Sequence, residues 1–245
     1  MNASASSTGW FVLLGTFFAA YLVGSIPFAY LIVRGVTGED ITAHGTGNVG
    51  SMNVRRTTGS WGWFAVAVLG DGMKGLVPTL IAKAWTMGVP VFSLAAFKPW
   101  ALTLVTVNTI WWQQPFFWVP MAAVAGAVMG HNYSVWMAII EHGFSRTGKG
   151  LATGAGALLA YDWRYFVAVV VVGLAVIALT RYMMAGQVAA AVTLPIAALV
   201  LGAPDWAFVS AMGAVVYAAH HRRFMGLLAG REPKLYIDDG TGPRG

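Results

Sequence analysis

The chain has 245 residues, of which 58% are apolar and 10% are charged, and its mean hydropathy is +0.67. Soluble domains carry about 45–50% apolar and about 25% charged residues, so this composition excludes an ordinary soluble domain and predicts a membrane protein. The formal net charge of +6 favours anionic partners, namely phosphate groups or lipid headgroups. Without any cysteine, the chain cannot form disulfides, thiolate metal sites or a cysteine acyl-enzyme.

Apolar stretches bounded by polar loops predict an all-α, polytopic membrane protein that forms a single domain over residues 1–245. About seven transmembrane helices are expected, at residues 10–33, 61–85, 116–137, 151–160, 166–180, 185–202 and 207–220. Residues 86–115 are expected to form a re-entrant or paired-helix insertion on the outer side. Most positive charges fall in alternate loops, which lie on the same side of the membrane. Because positively charged loops favour the cytoplasm, the N-terminus is expected outside and the C-terminus in the cytoplasm.

A cluster of glycine, asparagine and arginine residues follows the first predicted span, at residues 45–56. Glycines let backbone N–H groups face a ligand, asparagine adds side-chain donors, and arginine offers two parallel hydrogen bonds to a phosphate. The alternative is a flexible membrane loop, in which glycine and asparagine would be scattered along the sequence. Here they form a dense cluster that ends in Arg55-Arg56. The cluster therefore predicts an anion-binding loop.

Asp71 and Lys74 lie three residues apart inside the second predicted span. On a helix this spacing places both side chains on one face, and ionisable residues inside a membrane helix normally face a polar interior. A structural ion pair is the favoured interpretation. Because Asp71 is the only acidic residue in the middle of a span, no metal site is expected.

A third cluster combines residues 130–134 with residues 146–154. The spacing from Gly143 nearly matches a P-loop, but Gly150 occupies the position of the Ser or Thr that binds magnesium, and no strand precedes it. An NTPase is therefore excluded. A glycine turn that opens a helix still predicts an anion site, with backbone amides and Lys149 directed at the ligand.

The last cluster is His220-His221-Arg222-Arg223, at the inner end of the last predicted span. Its sequence continues through residues 224–234, and the alternative interpretation is a positively charged stop followed by an interfacial amphipathic helix. Anion binding and membrane anchoring both remain open for this segment.

In these motifs the sequence resembles the bacterial acyl-phosphate:glycerol-3-phosphate acyltransferases, a membrane family. The matching segments follow in order over most of the chain: Gly24-Ser25-Ile26-Pro27, residues 46–56, residues 71–75, Gly130-His131, Gly148-Lys149-Gly150 and residues 220–234. Several positions depart from the family pattern: Thr46 replaces Ser, Ser51-Met52 replaces Ala-Thr, Arg146-Thr147 replaces Lys-Gly, Arg223 replaces Asn and Gly226 replaces Arg.

The resemblance implies transfer of an acyl chain from acyl phosphate to the sn-1 hydroxyl of glycerol 3-phosphate, giving lysophosphatidate and phosphate. It places the enzyme in the bacterial inner membrane with its active site facing the cytoplasm. Lys149, which contacts phosphate, and His131 are the expected catalytic residues. The expected substrate ligands are Thr46, Gly47, Asn48, Asn53, Arg56, Gly148, Gly150, His220 and Arg223.

Acyl phosphate is already an activated anhydride, so no cofactor and no metal are expected. Besides the two substrates, the expected partners are membrane lipids and a soluble enzyme that produces acyl phosphate; nucleic acid is not a partner. The proton of the attacking hydroxyl has two possible acceptors, the leaving phosphate and His131.

Two other functions are weighed against this one. An organophosphate transporter could use the same loops, but it should show an inverted repeat with broken helices in both halves, and none is found. A membrane phosphotransferase acting on lipid precursors needs a later pair of metal-binding carboxylates that has no counterpart. The sequence also lacks a Gly-x-Ser-x-Gly elbow and the local His-Asp spacing of soluble-type glycerophosphate acyltransferases.

Overall fold

The computed structural model describes residues 7–45, 47–88, 113–232 and 234, and the regular elements in these ranges are all helices. They are α1 (Ser7–Gly24), α2 (Phe28–Thr37), a 3-10 helix (Ile41–Ala43), α3 (Ser51–Thr58), α4 (Trp61–Thr86), α5 (Trp118–Asn132), α6 (Val135–Ile140), α7 (Leu151–Tyr161), α8 (Trp163–Thr180), α9 (Met183–Val200) and α10 (Trp206–Leu228). The prediction of an all-α protein is confirmed for this part of the chain. The chain divides into two compact units, Met1–Trp163 and Arg164–Gly245.

Five helical segments in the described residues are long and apolar enough to cross a bilayer, compared with the seven expected. They are Gly9–Thr37, Trp61–Thr86, Trp118–Ile140, Trp163–Thr180 and Met183–Val200. Of the other two predicted spans, α7 is apolar but has only 11 residues, whereas about 20 are needed to cross the hydrocarbon layer. The second, α10, has 23 residues, but every stretch of 18 includes the polar run His220–Arg223.

Two further predictions concern residues 86–115 and the end of the last helix. The expected insertion at residues 86–115 falls mainly on residues 89–112, which lie outside the described residues. The last helix was expected to end at residue 220, whereas α10 continues to Leu228. The segment after His220 is therefore a continuation of the same helix for two further turns.

The first predicted span, residues 10–33, consists of two helices. α1 ends and α2 begins on either side of a short break at residues 25–27. Pro27 has no backbone N–H, and its ring disfavours the helical conformation at Ile26, so the helix cannot run through. A broken helix at membrane depth leaves carbonyl groups that need partners from neighbouring helices.

The polar region at residues 34–60 was expected to be a loop, but it contains the 3-10 helix and α3. Asp40 caps the 3-10 helix by accepting hydrogen bonds from the backbone N–H (2.9 Å) and the hydroxyl (2.8 Å) of Thr42, and these bonds lower the pKa of the carboxyl. Val54 of α3 packs into a buried cluster that includes Val33 and Ile41. An eight-residue helix is too short to be stable alone, so it forms only through this packing.

In the first unit, α1 packs on α5 and α4 packs on α7 at glycines that allow close approach. A side chain on Gly130 would collide with the carbonyl of Tyr21, and one on Gly75 would collide with the carbonyl of Thr153. Small residues at helix interfaces are the usual means of bringing membrane helices together. This packing places the polar residues of α4 beside α5 and α7.

The second unit contains α8, α9 and α10, of which the last two pack along each other. An ideal Cβ on Gly213 of α10 would lie 2.8 Å from the carbonyl oxygen of Ala191, so a side chain at this crossing would force the two helices apart. The Tyr165 hydroxyl near the start of α8 donates to Asp205, the residue that precedes α10, over 3.0 Å.

Candidate functional site

The first and third clusters predicted from the sequence meet in the first unit. The backbone N–H of Val49 donates to the carbonyl of Thr147 over 2.9 Å. Thr147 is buried, and it donates through its own N–H to the carbonyl of Asn132 (2.9 Å) and through its hydroxyl to the carbonyl of His131 (3.0 Å). Thr147 therefore joins the two glycine-containing loops to the end of α5.

Two of the three ionisable residues of α4, Asp71 and Lys74, form a buried pair beside these loops. Lys74 Nζ lies 2.7 Å from Asp71 Oδ1, and each side chain is only 4% exposed. Lys74 Nζ also donates to the carbonyl of Ile26 over 2.9 Å, so it satisfies one of the carbonyls released by the break in the first span. The hydroxyl of Ser134 donates to another, that of Ser25, over 2.5 Å.

His131 lies between this ion pair and the third cluster. Its Nδ1 is 3.6 Å from Asp71 Oδ1, and a side chain on Gly148 would collide with the ring at Nε2. One ring nitrogen therefore faces the Asp71 carboxylate while the other faces the glycine loop. The sequence shows no local His-Asp spacing for this contact, because the carboxylate comes from α4 and the imidazole from α5.

The Gly148-Lys149-Gly150 segment forms a turn that opens α7, as expected. Gly150 has a left-handed backbone (φ 76°) and occupies the N-cap position, where no side chain caps the helix. The amide groups of the first turn and the positive end of the helix dipole favour an anion here. Lys149 is half-buried and engaged in a polar interaction, and Arg146 Nε donates to the carbonyl of Gly148 over 3.1 Å.

Asn53 shapes the first loop from inside. The residue is fully buried, and its Nδ2 donates to the carbonyls of Ile41 (3.0 Å), His44 (2.9 Å) and Asn48 (3.1 Å). Its Oδ1 packs against Gly45, where a side chain would collide with it. The amide hydrogens of Asn53 are therefore used within the loop, while the half-buried Asn48 takes part through its carbonyl.

The remaining residues expected in this loop differ in their exposure. Gly47 is exposed with a left-handed backbone (φ 68°), and Arg56 is exposed as well. The neighbouring Arg55 guanidinium lies 4.9 Å from the centre of the Trp61 ring, so this arginine is held by a cation–π contact. Thr46 lies outside the described residues.

Two expected ligands, His220 and Arg223, belong to α10 in the second unit. His220 is buried, and its Nδ1 lies 2.7 Å from the carbonyl oxygen of Val216. Arg223 binds both carboxylate oxygens of Glu232, through Nε at 2.9 Å and Nη2 at 2.5 Å. A phosphate that binds Arg223 with two parallel bonds would therefore have to replace this carboxylate.

Fold and site together define a polytopic integral-membrane protein whose glycine-rich, cationic loops are joined beside a buried Asp-Lys pair. The family model described as glycerol-3-phosphate acyltransferase matches residues 14–230. The chain belongs to the glycerol-3-phosphate acyltransferase family, which confirms the resemblance seen in the sequence motifs.

Individual relatives agree with this assignment over nearly the whole chain. The glycerol-3-phosphate acyltransferase of Synechococcus sp. is 36% identical over 228 residues, which cover 92% of this chain and 95% of the relative. The proteins of the same name from Desulforudis audaxviator and Thermus thermophilus are each 34% identical, over 88% and 90% of this chain and 92% and 94% of their own lengths.

Solved structures with the same fold are also found. One is the crystal structure of PlsY (YgiH), an integral membrane glycerol 3-phosphate acyltransferase, in its glycerol 3-phosphate form. It matches with a TM-score of 0.71 and 25% sequence identity, covering 94% of this chain and 99% of that chain. Its lysophosphatidic acid form matches with a TM-score of 0.67 over 93% of this chain and 95% of that chain.

Proposed function

We propose that this protein transfers an acyl chain from acyl phosphate to the sn-1 hydroxyl of glycerol 3-phosphate, releasing lysophosphatidate and phosphate. The observation that carries the proposal is the hydrogen bond between Val49 N–H and the carbonyl of Thr147, which unites two glycine-rich cationic loops. Two substrates that both carry phosphate need such a site. The family membership and the glycerol 3-phosphate and lysophosphatidic acid forms of PlsY support the same acceptor and product.

Acyl phosphate is the proposed donor because its mixed anhydride needs no further activation. The hydroxyl oxygen of glycerol 3-phosphate attacks the acyl carbonyl carbon, and the bond between that carbon and the phosphate oxygen breaks. Holding the hydroxyl beside the carbonyl and stabilising the departing phosphate supply the acceleration. This step requires neither a cofactor nor a metal.

The residues of the first unit divide into two groups in this proposal. Lys149 and the amides of the turn from Gly148 to Gly150 bind a phosphate at the start of α7. Arg56 and the loop around Gly47, with Thr46 and Asn48, bind the other anionic group. Asn53 keeps that loop in shape, because its amide hydrogens are bound to backbone carbonyls.

His131 and the buried ion pair complete the proposed site. Asp71 and Lys74 act as a structural pair whose carboxylate lies 3.6 Å from His131 Nδ1, and Nε2 of the His131 ring faces the loop at Gly148. The proton of the attacking hydroxyl therefore has two acceptors within the proposal, the leaving phosphate and His131. A His131→Gln variant distinguishes the two acceptors. If His131 takes the proton, the variant loses the pH dependence of the rate that comes from the imidazole; if the leaving phosphate takes it, the pH dependence stays.

His220 and Arg223 are also proposed as substrate ligands, and residues 1–245 are proposed to form a single acyltransferase domain. For Arg223 the proposal includes exchange of the Glu232 carboxylate for a substrate phosphate. Arg223→Ala then raises the KM for glycerol 3-phosphate and leaves that for acyl phosphate nearly unchanged. If Arg223 serves only as an anchor, both Michaelis constants stay in place.

The proposed topology counts the short α7 and the polar-ended α10 with the five long apolar segments, giving seven crossings of the bacterial inner membrane. It places the N-terminus outside and the site and the C-terminus in the cytoplasm. The donor comes from a soluble enzyme that makes acyl phosphate, and the product enters the surrounding lipid. Because the chain has no cysteine, single cysteines report the sidedness directly. Ser4→Cys should react with an impermeant thiol reagent in intact cells and Ser145→Cys should be shielded; labelling of both from the same side contradicts the topology.

The decisive experiment is an assay with purified protein, palmitoyl phosphate and labelled glycerol 3-phosphate in detergent micelles. Lysophosphatidate and inorganic phosphate should form in equal amounts, and excess chelator should leave the rate unchanged. Palmitoyl-coenzyme A in place of palmitoyl phosphate tests the donor, and Lys149→Met is the control for the site. Failure of the wild type to acylate glycerol 3-phosphate would overturn the proposal.

A further inference from the structure

Asn132, the last residue of α5, carries a buried polar atom without a hydrogen-bond partner. The residue is 2% exposed, and within the described part of the chain nothing donates to its Oδ1. Buried polar atoms are nearly always hydrogen-bonded, because burying one without a partner costs free energy. Six other buried side-chain atoms of the described residues share this state. Of the three amide oxygens in the set, those of Asn53, Gln187 and Asn132, the last is the one beside Gly150 at the start of α7, where a ligand could donate to it.

The Asn132 carboxamide faces the start of α7, where the proposed phosphate site lies. An ideal Cβ on Gly150, the N-cap residue, would be 3.1 Å from Oδ1 and 3.5 Å from Nδ2 of Asn132. The backbone of Asn132 is fixed in this place, since its carbonyl accepts the hydrogen bond from Thr147 N–H. The unpartnered oxygen is therefore held beside the amides that an anion would bind.

The chemistry of this oxygen selects the part of the ligand that binds it. An ionised phosphate offers only acceptors, so it suits the amides of α7 and Lys149 but not an amide oxygen. A hydroxyl next to the phosphate would supply the missing donor. Glycerol 3-phosphate carries such a hydroxyl at C2, one carbon from its phosphate-bearing carbon.

We propose that Asn132 Oδ1 accepts a hydrogen bond from the C2 hydroxyl of glycerol 3-phosphate and so determines the specificity for this acceptor. The assignment rests on the proposed function. The C2 hydroxyl is chosen over the C1 hydroxyl because an amide oxygen is too weak a base to take a proton. It suits a hydroxyl that stays intact through the reaction, while C1 is acylated.

The test compares glycerol 3-phosphate with 3-hydroxypropyl phosphate, which keeps the reacting hydroxyl and the phosphate but lacks the C2 hydroxyl. With palmitoyl phosphate as donor, wild-type kcat/KM should favour glycerol 3-phosphate by roughly 10- to 100-fold, because the analogue leaves the buried oxygen unpaired. In Asn132→Leu, whose side chain has the same number and branching of heavy atoms but no acceptor, this preference should fall to about one.

Thr147→Val is the matched control, since it disturbs the same loop without touching the Asn132 carboxamide. It should lower kcat/KM for both acceptors while keeping the wild-type preference. If Asn132 is only structural, or if it binds the phosphate, Asn132→Leu should lower kcat/KM equally for both acceptors. The preference for glycerol 3-phosphate would then stay in place, and that result overturns the assignment. If Asn132→Leu does not fold, the same comparison is made with Asn132→Ala, and the wild-type ratio of kcat/KM for the two acceptors tests the assignment without any variant.

The outcomes for the wild type separate this assignment from the proposed function. Equal use of the two acceptors overturns the role of Asn132 but leaves acyl transfer to glycerol 3-phosphate standing. Absence of any transfer to glycerol 3-phosphate overturns the proposed function and the assignment with it. A strong preference that disappears only in the Asn132 variants supports both.

Discussion

Removal of the positive charge from the buried ion pair gives the sharpest test of how this site is held together. In Lys74→Met, the Asp71 carboxylate loses its partner at 2.7 Å while it stays 4% exposed. The remaining ionisable neighbour, His131 Nδ1 at 3.6 Å, is beyond hydrogen-bond distance. The carbonyl of Ile26 loses the donor at 2.9 Å in the same substitution.

The expected loss follows from what remains in the site. Breaking a buried pair by removing one partner destabilises a protein by about 3–5 kcal/mol. Protonation of His131 would compensate part of the stranded charge, so we expect a loss of about 3 kcal/mol in the free energy of unfolding. For a protein of this size that corresponds to a decrease in Tm of roughly 6–12 °C.

A double-mutant cycle in detergent micelles measures the pairing itself. Asp71→Asn, Lys74→Met and the combined variant are compared by their free energies of unfolding. The combined variant has no stranded charge, so it should be more stable than the sum of the single losses predicts, by at least about 1 kcal/mol. Additive losses would show that the two side chains do not interact, which refutes the reasoning.

Two further substitutions test the loops. Gly148→Ala places a methyl group against the His131 ring and 2.8 Å from the His131 carbonyl oxygen, so we expect a loss of about 1–3 kcal/mol in unfolding free energy and a lower kcat. Gly143→Ala, whose Cβ would meet only the carbonyl oxygen of Glu141 at 3.8 Å, is the control and should match the wild type. Thr147→Val removes a hydroxyl that donates to His131 O and accepts from Ser134 N–H (3.3 Å), which should cost about 1–3 kcal/mol, measured by thermal unfolding. Thr147→Ser retains the hydroxyl and should restore most of that loss; equal instability of the two variants would contradict the role of the hydroxyl.

Features that depend on a single helix could be predicted from the sequence. Asp71 and Lys74 face the same way because they are three residues apart on α4, and the turn at Gly150 opens α7 because glycine tolerates the left-handed backbone. Both follow from local geometry. The sequence also carried enough ordered motifs to identify the family, since the matching segments extend over most of the chain.

Features that depend on contacts between helices could not be predicted. His131 reaches Asp71 only because α4 and α5 come together, and no spacing in the sequence encodes that distance. The eight-residue α3 was missed for the same reason, since its stability comes from burying Val54 and not from its own polar sequence. The position of Arg223 in a motif predicted that it binds a substrate phosphate, whereas in the structure it binds the carboxylate of Glu232, nine residues further along.

Asn53 and Asn132 are both buried in the first unit, but their side-chain amides have different surroundings. The sequence singled out Asn53 as a substrate ligand and only noted Asn132 within a cluster. In the structure, Asn53 Nδ2 donates to three backbone carbonyls, so this residue is committed to the shape of its loop. Asn53 Oδ1 and Asn132 Oδ1 both lack a hydrogen-bond partner among the described residues, but the first packs against Gly45 inside its own loop, whereas the second faces the glycine that opens α7. An amide whose donors are bound to the backbone holds a site together, whereas a buried acceptor beside an anion site selects a ligand that carries a hydroxyl next to its phosphate.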